Sequence, residues 1–171
     1  MIDKDNYSEK NFVDRAARLR DCIIQQGLGD PNQIKGCSEL EISKLEKEYN
    51  VMLPQSYKTF LRNFGHGLGG RIMRECDILY SDIFSLTNII RNEILVDEGD
   101  PCLPDKAFIF SGRYNEQFMF FDANGLAEEP PIYYYMIDEE NFTKIGDSIF
   151  DIVEGETKSS LEIKLYQEKR K

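Results

Sequence analysis

A chain of 171 residues that is 41% hydrophobic and 12% aromatic is long enough for one domain with a sizeable core, and too apolar for intrinsic disorder. No apolar run approaches the roughly 18 residues of a membrane span. The polar, mixed-charge start MIDKDNYSEK reads as neither a signal nor a transit peptide. A formal net charge of −10 works against nucleic-acid binding, which needs a basic footprint.

The charge is unevenly spread. Residues 1–70 balance to 0, residues 71–156 carry −13, and residues 157–171 carry +3. A field of that sign favours a basic partner, with plain solubility as the simpler alternative. The four cysteines, Cys22, Cys37, Cys76 and Cys102, form no CxxC pair, so a paired zinc framework is not indicated. The expectation is a cytoplasmic protein with reduced, mostly buried thiols, no metal and no cofactor.

Residues 11–26 suit an opening helix. Phe12, Ala16, Leu19 and Ile23 share one face, and Arg15, Arg18 and Arg20, interleaved with Asp14 and Asp21, read as a solvated one. The glycines and proline of residues 27–36 predict a loop. Residues 38–65 carry the strongest pattern in the chain. Ser38 and Glu41 fit a capping box. Leu40, Leu45, Tyr49 and Val51 approximate helical spacing, and Leu53-Pro54 ends that helix. Pro54 suits the first position of a second helix, whose stripe is Tyr57, Phe60, Leu61 and Phe64 and whose end is Gly65.

The following GHGLGG segment lacks the spacing of a phosphate-binding loop and predicts a wide turn. It holds His66, the only histidine, which leaves little room for a Ser–His–Asp or Cys–His scheme. Residues 77–85 have strand character. Residues 87–96 suit a helix capped by Thr87 or Asn88, with Ile89, Ile90 and Ile94 inward. Residues 97–105, DEGDPCLPD, form an acidic loop without EF-hand ligand spacing. Residues 107–111 and 116–122 predict an antiparallel hairpin around a turn at 112–115. Residues 131–136, PIYYYM, predict a third strand in which Tyr134 faces opposite to Tyr133 and Tyr135. Residues 147–153 suit a short helix, and the tail from Ser159 fits strand or helix, helix being favoured.

The succession Leu45-Glu46, Leu53-Pro54, Tyr57-Lys58, Phe60-Leu61 and Phe64-Gly65 resembles the signature of the SUKH superfamily, which includes fungal Smi/Knr-type regulators of cell-wall synthesis and many bacterial immunity proteins. Phe120-Phe121-Asp122, residues 131–135 and Ser148-Ile149-Phe150 stand where that superfamily's later strands and short helix should be, so the resemblance spans about residues 12–154. The sequence departs from the pattern in lacking a glycine–aspartate pair at residues 112–117 and in lacking tryptophan. The resemblance implies a single α+β domain over residues 1–171, with a mainly antiparallel sheet packed by helices and 155–171 as a C-terminal extension. It also implies a non-enzymatic immunity protein that neutralises a cognate toxin domain, often a nuclease. The charge pattern agrees, because a nuclease site is basic and clustered carboxylates complement it. The candidate contact residues are Asp97, Glu98, Asp100, Glu128, Glu129, Asp138, Glu139 and Glu140. Two other readings stand beside this one. The first is a scaffold or regulatory module like the fungal relatives. The second is an enzyme built on a carboxylate pair split in pKa by burial, for which no pair is marked by spacing.

Overall fold

The computed structural model describes residues 4–70, 72–73, 75–95 and 101–170. Helix α1 (Lys4–Gln25) leads through a short 3-10 turn (Pro31–Gln33) into β1 (Ile34–Lys35), then α2 (Glu39–Tyr49), α3 (Gln55–Phe64) and β2 (Gly67–Leu68). Helix α4 (Tyr80–Ile89) runs on into a π-helical turn (Ile90–Ile94). Strands β3 (Ala107–Arg113), β4 (Gln117–Asp122), β5 (Ile132–Met136) and β6 (Thr143–Gly146) precede α5 (Ile149–Glu168). The last four strands form an antiparallel meander in sequence order, and β1 pairs with β2 alone. The chain is an α+β domain.

The capping box forms as the sequence indicates. Glu41 Oε2 accepts from the Ser38 N–H at 2.8 Å, and Ser38 Oγ accepts from the Glu41 N–H at 3.4 Å. The buried face of α2 is Ile42 and Leu45, whereas Leu40 is 81% exposed. Leu40 lies five residues before Leu45, about 140° round the helix, and so falls off the apolar stripe. The helix stops at Asn50, in the left-handed conformation at φ 50, before the proline is reached. Pro54 is the cap of α3 rather than its first residue. Tyr57, Phe60, Leu61 and Phe64 are all at most 1% exposed. Gly65 keeps a right-handed helical backbone at φ −59, so its role is room. A Cβ there would lie 2.3 Å from Cys37 Sγ and 2.8 Å from Leu61 O.

Residues 77–85 are not a strand. Asp82 accepts from the Leu79 N–H at 3.0 Å, which starts α4 at Tyr80, and Ile83, Leu86 and Ile90 then recur at helical spacing as buried residues. Thr87 and Asn88 lie inside this helix rather than capping one. Only Asp77 makes a β-bridge, to Gly112. The hairpin turn is centred on Tyr114 and Asn115, at φ 55 and 57, while Gly112 sits in β3 opposite Phe118. Strand β6 has no counterpart in the sequence reading, because TKIG is short and mostly exposed. The expected short helix at 147–153 and the ambiguous tail are one helix, α5. Ile163 and Leu165, whose alternation suggested a strand, are 59% and 46% exposed on it. Of the cysteines only Cys37 is buried; Cys22 and Cys102 are exposed.

The meander separates two apolar clusters. Phe108, Phe110 and Phe121 join residues of α1, α2, α3 and α5 on one side. Ile109, Phe118, Phe120 and Tyr135 join Leu86 and Ile90 on the other. Phe108 and Phe110 share the helical side by strand alternation, and a bulge between Ile109 and Ser111 shifts the β3 register so that Ser111 pairs with Met119. The tyrosine run alternates as expected: Tyr133 and Tyr135 pack with the second cluster, and Tyr134 pairs with Met119 on the opposite face. Tyr57 enters the first cluster with its ring 5.1 Å from that of Phe121 and 5.5 Å from that of Phe108.

The Tyr57 hydroxyl is buried without a hydrogen-bond partner among the described residues, a cost the ring must outweigh. Tyr57→Phe should therefore raise stability by about 1 kcal/mol, whereas Tyr57→Ala should lower it by about 3–5 kcal/mol, both read from urea midpoints. Gly65→Ala should cost about 1–3 kcal/mol through overpacking. Adding Cys37→Ala should recover part of that loss, and a double-mutant cycle measures the coupling.

Candidate interaction surface

The acidic residues singled out from the sequence do not form one patch. Asp97, Glu98 and Asp100 lie outside the described residues. Glu128 and Glu129 precede β5, and Asp138, Glu139 and Glu140 follow it, so the two groups sit at opposite ends of a five-residue strand. At about 3.3 Å per residue the strand alone separates them by roughly 17 Å.

The end before β5 is committed to structure. The carbonyl of Glu128 accepts from the Ser56 N–H at 3.0 Å, which caps the first turn of α3. Glu129 pairs with Arg15 at 3.1 Å. Arg15 also makes two hydrogen bonds to Glu154, at 3.1 and 2.9 Å, and one to Asp151 at 2.8 Å. Its guanidinium lies over the Phe150 ring at 5.2 Å. The hydrogen bonds it donates to Glu154, against the opposing effect of burial and with help from Asp151, raise its pKa above the usual arginine value, so it is a permanent cation. The sequence placed Arg15 on a solvated face. Instead its side chain is 17% exposed and ties α1 and α5 to the β4–β5 loop. Helical periodicity locates a face but not what lands on it.

The other end gathers what the sequence left scattered. The Ile137 N–H donates to the Glu116 carbonyl at 2.8 Å, which sets the β5–β6 turn beside the β3–β4 turn. Glu116, Asp138 and Glu140 are exposed there, and Glu139 is half-buried. Tyr114, 66% exposed, stands next to them with Arg113 over its ring at 5.2 Å. Asp138 holds a left-handed backbone at φ 70, which turns the chain sharply. Glu116 and Tyr114 were hidden because each falls in a hairpin turn whose neighbour is 20 or more residues away. Beneath the turns lies a cleft of about 350 Å³, lined by Glu75, Arg113, Met119, Tyr134, Glu156 and Ile163 among others. Arg113 pairs with Glu75, and burial, with the nearby Glu139 carboxylate second, raises the Tyr134 phenol.

The groups that line this cleft are suited to binding. Cys76 and Ser111 line it, but burial and the charge of Glu156 push the Cys76 thiol up, away from the thiolate a nucleophile needs. The one histidine is elsewhere, bonded to Glu41 at 2.8 Å. The carboxylates that the fold does bring together, Glu129, Asp151 and Glu154, converge on a guanidinium rather than on each other. Among the described residues no helix is long and apolar enough to cross a membrane.

With helices, meander and turns in place, the sequence model of the SMI1 / KNR4 family (SUKH-1) matches residues 36–155. The chain belongs to this family. A comparison with curated proteins finds no match. The SUKH-1 match begins just before the Ser38 cap and ends inside α5, so α1 and the second half of α5 flank it. SUKH domains serve as immunity and protein-interaction modules.

Arg15→Met should cost about 1–2 kcal/mol, since it strands three carboxylates that are only partly screened by water. The loss should shrink in Arg15→Met/Glu154→Gln, where one of the uncompensated charges is also removed.

Proposed function

We propose that this SUKH-1 domain is a non-enzymatic immunity protein that binds a basic, nuclease-type toxin domain through the paired hairpin turns. Family membership carries the reading, together with the net charge of −13 over residues 71–156. The turns suit the task physically. Glu116, Asp138 and Glu140 present exposed carboxylates that would steer a cationic active-site cleft and speed encounter. Tyr114 is a rigid amphipathic side chain of the type that dominates binding energy at interface centres. Each turn grows from one of the two inner strands, β4 and β5, which are paired on both sides, so the turns have a stiff support and ordering costs on binding are small. The action is stoichiometric occlusion, and no residue is assigned a catalytic role.

The family description itself names the SMI1/KNR4 regulators, which supports a second reading, a regulatory scaffold with several cellular partners. Such a protein would capture a set of enzymes rather than one small basic domain.

Co-expression with the product of the adjacent gene separates the two readings: growth rescued from a single toxic domain supports immunity. In binding assays with that domain, Asp138→Lys/Glu139→Lys/Glu140→Lys should weaken affinity tenfold or more, and Tyr114→Ala should cost about 1–2 kcal/mol. Affinity should also fall with added salt. Tight binding that ignores both salt and the triple reversal would exclude the acidic turns as the contact.

A further inference from the structure

We infer that Cys37, Glu41 and His66 form a three-ligand site for a borderline-soft divalent cation of the zinc type, at the junction of β1, α2 and β2. The Cys37 thiol, a Glu41 carboxylate oxygen and a His66 ring nitrogen all lie within 4.8 Å of one another. Sulfur, imidazole and carboxylate are the ligand types that tetrahedral zinc sites use, and three protein ligands leave a fourth position for water. Calcium and magnesium take oxygen ligands instead, so a site with a thiolate and an imidazole selects against them.

Each ligand is anchored by different backbone, which makes the grouping a property of the fold. The Cys37 N–H donates to Leu61 O at 2.8 Å, and the thiol is wedged where a Cβ on Gly65 would stand 2.3 Å away. Glu41 is oriented by the capping box, in which Oε2 accepts from Ser38 and leaves Oε1 to meet His66 Nε2 at 2.8 Å. His66 is fixed by its N–H to Lys35 O at 2.8 Å and by the Tyr80 ring, whose centroid is 5.4 Å from its own. Burial differs in the way a loadable site requires. Cys37 is 7% exposed, while the side chains of Glu41 and His66 are 33% and 37% exposed, so the metal enters from solvent and the soft ligand stays protected.

Binding exchanges the Glu41–His66 hydrogen bond for two metal–ligand bonds, the ring proton passing from Nε2 to Nδ1 by way of solvent so that the Nε2 lone pair is free, and forms a third bond to sulfur. The Cys37 S–H bond breaks and its proton leaves to solvent, with no change in oxidation state. The positive end of α2 opposes a cation here, and the Glu41 and Cys37 anions offset it. Sequence spacing concealed the site, since Cys37 and Glu41 belong to one helix start and His66 comes from the glycine-rich turn after α3. This inference does not rest on the immunity reading, because the site is separate from the paired hairpin turns.

The test is cobalt(II) titration of the reduced, metal-free full chain, followed by displacement with zinc. A thiolate-to-cobalt charge-transfer band at one equivalent is expected, lost in Cys37→Ser and retained in Cys22→Ser, Cys76→Ser and Cys102→Ser. His66→Gln, a half-exposed position whose loss spares the core, should weaken cobalt binding by about tenfold or more, since even outer-shell changes cost that much. Zinc should raise the thermal midpoint of the parent chain and not that of His66→Gln. Circular dichroism of each metal-free variant checks folding, and His66→Gln carries the test should Cys37→Ser not fold. A missing charge-transfer band overturns the site. So does a band that survives Cys37→Ser or disappears in Cys76→Ser, or zinc stabilisation unchanged in His66→Gln.

Discussion

The ring of Tyr57 lies between 5.1 and 5.8 Å from those of Phe108, Phe110 and Phe121, and most of the architecture follows from that seat. Tyr57 is on α3, the three phenylalanines on β3 and β4, so one side chain docks the helical layer onto the sheet. A rigid ring in a close-packed interior admits little sliding. Phe108 and Phe110 reach the same side by the ordinary alternation of β3, and α1 and α5 pack around the result. With the helices on one side and α4 wrapped over the other, the free ends of the meander become the available surface.

Charge is handled in two ways in this molecule. Where carboxylates approach the helical layer they are gathered by Arg15, which binds Glu129, Asp151 and Glu154 at once. Where they lie on the far turns, Glu116, Asp138 and Glu140 face solvent, and Arg113 is occupied by Glu75. The same residue types therefore hold the fold at one end and are free to meet a partner at the other. For a protein of the SMI1/KNR4 family, this division is the ground for proposing recognition by the turns rather than by the helical signature that identifies the family.

The helical half was legible because its periodicity is local. Phe12, Ala16, Leu19 and Ile23, and then Tyr57, Phe60, Leu61 and Phe64, are buried as their spacing indicates. Difficulty came where a short apolar run fits two periods. Residues 77–85 resemble a strand until Asp82 is seen to cap Leu79, whereas the helix favoured for the tail over the Leu161, Ile163, Leu165 alternation is the one that forms, as α5 runs on from Ser148. Strand β6 offered too little apolar signal, since its register is imposed by β5 and by Phe142 packing on Phe120 at 4.8 Å. The acidic contact residues were legible by composition only. Composition does not say that Glu129 belongs to Arg15 or that Glu116 adjoins Asp138.

The sequence by itself determined the family, the α+β class, the capping box and the aromatic stripes, because each depends on residues within a few positions of one another. Tertiary structure decided which charges are free, which are bound, and which ligands meet. Arg15 is 139 residues from Glu154, and His66 is 25 from Glu41. At those separations propensity and periodicity carry no information; only the close packing of helices on the sheet brings the partners together.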